Sequence, residues 1–589
     1  MSDLIFNGLF ADSGAYAYPP MSAADLAAIA ADAAQSGELS DKKVLKSLRQ
    51  RKSLDSRGAD FGPIEGIDPK DLAQSGWGVI FAHDADPAIV DALRPLLDLR
   101  KSQAQKIKEG RYRELTGDQG FFPGDTKFSF LDNHGAGGGG AADPDQLPYY
   151  LLIVGSPEVI PWSFQYQLDV QYAVGRLWFD DNSPDSYARY AQSVVQAENG
   201  GIALPRRAAF FGPSSEDDAA TELSASQLIA PLSRQIQDGQ HGWNIKAIAP
   251  QEATKARLAE LFGGGQTPAV LFTATHGMLY RAGDPRQFAR MGALVCADWP
   301  GPSFTGPVPD SFCFAGDDIA SDACLSGLIS FHFACFGAGT PQCDDFRQAG
   351  AAAPRTIAPK PFAGRLPQRL LAHPKGGALA VIGHVDRAWG YSFQSKKGDT
   401  QLRTFHDALK RLMEGHPVGS AMEPFNQRYA ELSSDLSNAI FTRPDDLEMA
   451  FMWTCNNDAR NYVVMGDPAV RLRLADDPSQ VKRETIMPIE VAPTPPPTPQ
   501  LAAKLQEMLD SLSTVEVSTY ASKTGKMEGA ALRVYTRVGL DGKTELCLPE
   551  GQVDEALCKI HSEMVRNALD HRVAMLNAIA SALANLKTP

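Results

Sequence analysis

From Gly76 onward, short runs built almost wholly of apolar, strand-prone residues alternate with longer stretches of helical periodicity. The runs fall at 78–82 (GVIFA), 149–154 (YYLLIV), 207–211 (RAAFF), 243–249, 268–274 (PAVLFTA), 327–334 (GLISFHFA) and 377–383 (GALAVIG). Helical patterns occupy about 87–108, 217–238, 252–262, 365–373 and 401–414. A strand that is apolar on both faces has to be covered on both faces. The alternation therefore predicts an α/β domain whose mostly parallel sheet is flanked by helices on both sides. In such sheets, ligands and catalytic groups gather at the carboxyl ends of the strands.

The chain has 589 residues, room for one large domain and one or two smaller ones. The large domain is expected over 71–478, behind an N-terminal arm, 1–70, with a basic patch at Arg49, Arg51, Lys52 and Arg57. Residues 479–500, which include APTPPPTPQ at 492–500, read as a semi-rigid linker, because proline fixes φ and removes backbone donors. Beyond it, 501–589 reads as a small α+β unit with strands near 515–520, 531–539 and 544–548 and a hairpin turn at Asp541-Gly542. A long helix follows, about 553–586, on which Val553, Leu557, Ile560, Met564, Val573, Leu576, Ile579, Leu583 and Leu586 form one apolar stripe. That stripe suits packing on its own sheet or self-association through the C-terminal helix.

Net charge is −14, and no dense Lys/Arg stripe is present, which argues against a nucleic-acid partner held through phosphates. No apolar run approaches the roughly 18 residues of a membrane span. The N-terminus, MSDLIFNGLF, lacks the basic and long apolar segments of a signal peptide. Eight cysteines at irregular spacings look like reduced thiols, and without a C-x2-C pair they suggest no structural zinc. The expectation is a cytoplasmic protein with no membrane partner, metal or cofactor.

Two strand ends carry chemistry. The run 268–274 leads into Thr275-His276-Gly277, and the run 327–334 leads into Cys335, within HFACFGAGTP at 332–341. A thiol requires a nearby base to ionise near neutral pH, and histidine is the usual choice. Gly277 permits a tight turn, and its amide and that of Cys335 would make a two-donor oxyanion hole. If the two strands are parallel neighbours, His276 and Cys335 emerge on the same edge. Taken alone, a buried Cys is usually a small hydrophobe and a strand-end His a structural hydrogen bonder. The pairing is the informative feature.

An apolar strand ending in His-Gly, followed by one ending in Ala-Cys, resembles the caspase-like superfamily of cysteine peptidases, which includes caspases, metacaspases, legumain, gingipains, separase and CHAT-domain proteases. Four further blocks resemble the gingipain-like branch: YYLLIVGSPEVIP at 149–161 with DVQYAVGRL at 169–177, GGALAVIGHVDRAWGYSF at 376–393, and NYVVMGDPAVRL at 461–472. The resemblance spans roughly 75–475 and implies a caspase-like fold. It also implies an endopeptidase in which Cys335 attacks the scissile carbonyl and His276 protonates the leaving amine, acting on a protein or peptide substrate.

Metacaspases and separase place an Asp two residues before the nucleophile to bind a basic P1 side chain, but that position here is Phe333. Asp169 is the first choice for a replacement acid, with Asp317, Asp318 and Asp386 as alternatives and Trp389 as a wall of the pocket. A carboxylate there would select Arg or Lys through charge-assisted hydrogen bonds, with Arg favoured. Each of these acids also reads as an ordinary turn or loop residue. HGAGGGG at 134–140 lacks the Lys and Ser/Thr of a P-loop and reads as a loop, with His134 the second-choice catalytic histidine. The Gly-, Pro- and Asp-rich interval 278–326 has the character of a lid. The resemblance further suggests control by the flanking regions, through a small-molecule or protein activator, and a signal-triggered role in bacterial, including antiphage, defence. The rival reading is a non-catalytic caspase-like scaffold that binds a partner through its C-terminal domain.

Overall fold

The computed structural model describes residues 8–16, 24, 26–30, 62–346, 355–395, 397–442, 445–484, 514–521, 532–539, 544–547, 565, 566 and 572. The chain divides into two compact units, 1–489 and 490–589.

The first unit is built on a ten-stranded sheet. In chain order its strands are β1 (Trp77–Phe81), β2 (Tyr112–Leu115), β3 (Tyr150–Val154), β4 (Ala173–Leu177) and β5 (Arg207–Phe211), then β6 (Asn244–Ala247), β7 (Val270–Ala274), β8 (Ile329–Phe333), β9 (Ala380–His384) and β10 (Tyr462–Gly466). Across the sheet the order is β2-β1-β3-β4-β10-β9-β8-β7-β5-β6. All but one of the adjacent pairs are parallel; the exception is β9–β10, where the sheet reverses direction. The chain thus has the α/β architecture expected of it, with two parallel halves meeting at one antiparallel seam.

Burial explains why the sequence reads as apolar runs. Every residue of β1, β3, β4, β7, β8, β9 and β10 is buried. The edge strands are not: β2 is half open, and β6 exposes Asn244, Lys246 and Ala247. Polar side chains at the edges suit strands with one unpaired side. Helices Pro184–Glu198, Arg403–Met413, Glu423–Thr442 and Asp446–Arg460 are among those covering the sheet.

Two of the sequence blocks have structural work beside the seam, where β10 meets β4 in parallel. A methyl on Gly175 would lie 2.2 Å from the Gly466 carbonyl oxygen, so the glycines of the "VGR" and "GDP" blocks let β4 and β10 meet backbone to backbone. Arg176 is buried, with its guanidinium donating to the Gln165 side chain (2.9 Å) and the Gly155 carbonyl (2.9 Å). Asp467 accepts from Trp77 Nε1 (2.9 Å) and pairs with the fully buried Arg100 at 2.7 Å.

Beside the carboxyl edge of β7 lies a second, four-stranded sheet of Gly8–Phe10, Gly277–Leu279, Leu294–Val295 and Cys313–Phe314. It gathers part of the irregular interval 278–326 and a piece of the N-terminal region. In the second unit, Thr514–Ala521, Leu532–Gly539 and Thr544–Cys547 form an antiparallel three-stranded meander at the predicted positions. The Asp541-Gly542 turn, nearly all of the expected C-terminal helix and the linker from 485 onward lie outside the described residues, whereas the expected linker's start is part of the first unit, with Lys482–Arg483 paired antiparallel to Ile202–Ala203.

Candidate active site

β7 and β8 are parallel neighbours, and Ala274 pairs with Phe333. His276 and Cys335 each follow two residues after that pair, so they leave the sheet side by side. A methyl on Gly277 would fall 1.9 Å from the Cys335 carbonyl oxygen and 3.1 Å from its nitrogen. Only a residue without Cβ lets the two backbones approach so closely.

Cys335 sits at a sharp bend. Phe336, the next residue, has φ of +58°, in the left-handed region that side chains other than glycine disfavour. Its N–H donates to the Asp386 carbonyl at 2.8 Å, tying the bend to the loop after β9. From the same loop, the Ala388 N–H donates to Cys335 Sγ at 3.2 Å. The thiol has no exposure, and burial pushes its pKa above the ordinary thiol range despite that bond. In this conformation it is a neutral thiol.

His276 is also fully buried. Its Nε2 lies 2.8 Å from Asp218 Oδ2. A carboxylate only accepts, so Nε2 carries a proton, and in the neutral form of the ring the lone pair is then on Nδ1. Nδ1 has no hydrogen-bond partner among the described residues. Trp299 stands edge-on to the imidazole, ring centres 5.6 Å apart, and Tyr16 lies on another side at 5.8 Å. Burial raises the Asp218 pKa, but His276 and the hydrogen bonds from His276, Thr221 and Tyr16 outweigh it and hold this carboxyl well below the usual range. Asp218 caps the helix Ala219–Leu223 after β5, and Asp217 before it is left-handed at φ +60°. Because β5, β7, β8 and β9 are consecutive in the sheet, Asp218, His276, Cys335 and Ala388 converge from four neighbouring strand ends.

Sequence reasoning missed Asp218. Its local signal, an Asp at the start of a short helix, is that of an N-cap. Only the adjacency of β5 and β7 marks it as the histidine's partner. Tyr16 and Trp299 carried no signal of their own.

The predicted pocket residues are dispersed. Asp386 lies beside Cys335, where its Oδ1 accepts from the Arg387 backbone (2.7 Å) and guanidinium (2.9 Å). Its Oδ2 is buried without a hydrogen-bond partner among the described residues. Trp389 is buried against Phe346, ring centres 5.0 Å apart. Asp344 pairs with Arg387 at 2.7 Å and Asp345 with Arg460, which adds two carboxylates to the neighbourhood. Burial pushes Asp344 up to about 6.

Asp169, by contrast, ends the helix Trp162–Asp169 ahead of β4, three strands from β8; burial raises its pKa, and a bond from the Val174 backbone lowers it. Asp317 pairs with Arg369 at 3.6 Å on the rim of a different cavity. Asp318 bonds Lys255 Nζ (2.7 Å) and the Ala315 N–H (2.8 Å). His134 holds both ring nitrogens against carbonyls, those of Phe130 (2.6 Å) and Gln119 (2.9 Å).

The family model of Peptidase family C25 matches residues 363–473. This stretch runs from ahead of β9 to beyond β10 and begins past both His276 and Cys335. With this match the chain resembles the caspase-like cysteine peptidases as a class. Within that class it is similar to the gingipain-like branch, and a peptidase is supported, at the family level a cysteine peptidase. A search of curated proteins finds no match. Among solved structures, one titled "Structure of Protease" is 11% identical, with 85% of this chain and 95% of that chain covered at a TM-score of 0.39. No helix among the described residues is long and apolar enough to cross a membrane.

Proposed function

We propose that this protein is a cysteine endopeptidase with Cys335 as nucleophile and His276 as proton shuttle. The observation that carries the reading is the side-by-side exit of His276 and Cys335 from β7 and β8, with Gly277 against the Cys335 backbone. When the site is open, Cys335 Sγ bonds to the scissile carbonyl carbon and the carbonyl electrons move onto oxygen. The amides of Gly277 and Cys335 are the assigned oxyanion donors. His276, its Nε2 anchored by Asp218, receives the thiol proton at Nδ1 and passes it to the leaving amine. Water then hydrolyses the thioester, releasing the acid and restoring the thiol.

For specificity, Asp386 is the assigned P1 anchor and Arg the favoured P1 residue. The support is its place beside the nucleophile and its unpartnered buried oxygen, since a guanidinium supplies two parallel donors to such a group. A cytosolic setting, read from the irregular cysteines, self-association through the apolar stripe of the C-terminal helix, a small-molecule or protein activator, and a signal-triggered bacterial defence role that rests on resemblance belong to the same proposal. The zero exposure of both Cys335 and His276 favours a second reading, a non-catalytic scaffold that engages a partner through its C-terminal domain.

A fluorogenic peptide panel with Arg, Lys, Asn, Asp or Leu at P1, assayed with and without cell extract, tests this. Cleavage after Arg is expected, falling by about 10⁴-fold or more in Cys335→Ala and about 10²–10⁴-fold in His276→Ala. Cleavage that survives Cys335→Ala means another nucleophile, and no cleavage under any condition favours the scaffold.

A further inference from the structure

Part of the cover over Cys335 and His276 is the segment Gly8–Tyr16, alongside Trp299 and the loop that carries Ala388. Gly8–Phe10 adds a parallel strand to the edge Gly277–Leu279, pairing Gly8 with Gly277 directly after the histidine. A methyl on Gly8 would lie 3.2 Å from Cys335 Sγ, so the strand runs past the thiol at a distance that leaves little room for a side chain. The Ala11 N–H donates to the Leu279 carbonyl (2.8 Å) and the Val308 N–H to the Ala11 carbonyl (2.8 Å). The segment then turns back, and the Tyr16 hydroxyl donates to Asp218, the carboxylate that anchors His276. At its other side Arg281 pairs with Asp12 and stacks over Phe10, 4.4 Å from the ring centre.

We infer that Gly8–Tyr16 is an intramolecular plug: it fills the peptide-accepting edge Gly277–Leu279 and closes the Cys335–His276 site, which opens when the segment is displaced. This deepens the peptidase reading and rests on it. An exposed strand edge beside a nucleophile is a site for an extended peptide bound through main-chain hydrogen bonds. The plug meets that description with the smallest residue, Gly8, at the thiol. It is held by three strand pairs, a few hydrogen bonds, an ion pair with both partners about half exposed, and the burial of two side chains, Leu9 and Ala11. A cover of that strength can leave without unfolding the ten-stranded core. The elevated thiol pKa in the closed form agrees with a resting state.

Alkylation of individual cysteines by iodoacetamide, read by mass spectrometry, tests the plug without requiring turnover. The full chain is compared with a chain lacking residues 1–17 and with full-length Gly8→Val and Tyr16→Phe; exposed Cys343 is the internal reference. Removing the plug is expected to speed Cys335 alkylation at least about tenfold, with Cys343 unchanged. Gly8→Val, whose side chain meets Sγ and Leu279, is expected to move the rate the same way, and Tyr16→Phe to move it less. A synthetic peptide of residues 8–16 added to the truncated chain should restore protection. Equal Cys335 rates in the full and truncated chains overturn the inference. If the truncated chain fails to fold by circular dichroism, an unaccelerated Gly8→Val does the same. An exposed Cys335 that cleaves no peptide would end the peptidase reading and leave the plug standing. Peptide cleavage by a full chain whose Cys335 alkylates freely would do the reverse.

Discussion

In the proposed mechanism Asp218 is a positioning residue: it touches His276, not Cys335, and sets which imidazole nitrogen faces the thiol. Asp218→Asn keeps the size but lets the side chain amide donate, which favours the wrong tautomer. A fall in kcat of about 10²–10⁴-fold with KM little changed is expected, measured on the preferred peptide. An equal loss in folding stability and activity would mean that its role is only structural. A second residue-scale effect comes from His332 on β8, fully buried, its Nε2 2.7 Å from Ser330 Oγ. Burial depresses its pKa from 6.5 to about 3. The folded chain refuses a proton that the unfolded chain accepts, so stability is full above pH 6.5 and declines as pH falls toward about 3. The slope is about 1.4 kcal/mol per pH unit for one such group. Thermal melts from pH 7 to 4 should show this decline, and His332→Gln should flatten it; an unchanged slope would remove His332 as the cause.

At the scale of elements, the site depends on strand ends that nearly touch. The pair Ala274–Phe333 sets β7 against β8, and glycine at 277 makes the approach possible. Gly277→Ala has to push the Cys335 backbone away, at a cost of about 1–3 kcal/mol from overpacking. A fall in melting temperature with near-complete loss of peptide cleavage is the expected result, checked by calorimetry and assay on one sample. Normal activity in that variant would mean that the two strand ends separate in the working enzyme. The left-handed Phe336 and Asp217 belong to the same picture, since each stands next to a residue of the Asp218–His276–Cys335 chain.

At the scale of the whole molecule, the antiparallel seam joins two parallel half-sheets, and the buried Asp467 just after β10 anchors it to β1 and its flanking helix. Arg100 has no exposure and pairs with Asp467, while Trp77 donates to the same carboxylate. Asp467→Ala leaves a buried guanidinium and an indole N–H short of their acceptor, a loss of about 3–5 kcal/mol. Chemical denaturation should show it as a lower midpoint, and a change under about 1 kcal/mol would mean that Glu198, 3.4 Å from Arg100, suffices.

Hydrophobic pattern alone carried the α/β class, because strands covered on both faces must be apolar throughout. It also carried the predicted strands of the main sheet and the prominence of His276 and Cys335, since a reactive residue after an apolar run is visible locally. β2, β4, β10 and helices such as Pro184–Glu198 escaped that reading, β2 because an edge strand keeps polar residues, while β4 and β10 entered only through the blocks of the family resemblance. The order of strands depends on pairing between segments far apart in the chain, so only the tertiary structure decided that β5 lies beside β7 and brings Asp218 to the histidine. For the same reason it alone separated Asp386, next to Cys335, from Asp169 and Asp317. It alone, too, laid Gly8–Tyr16 across the site: an N-terminal segment acquires its meaning from the strand edge it meets some 270 residues later.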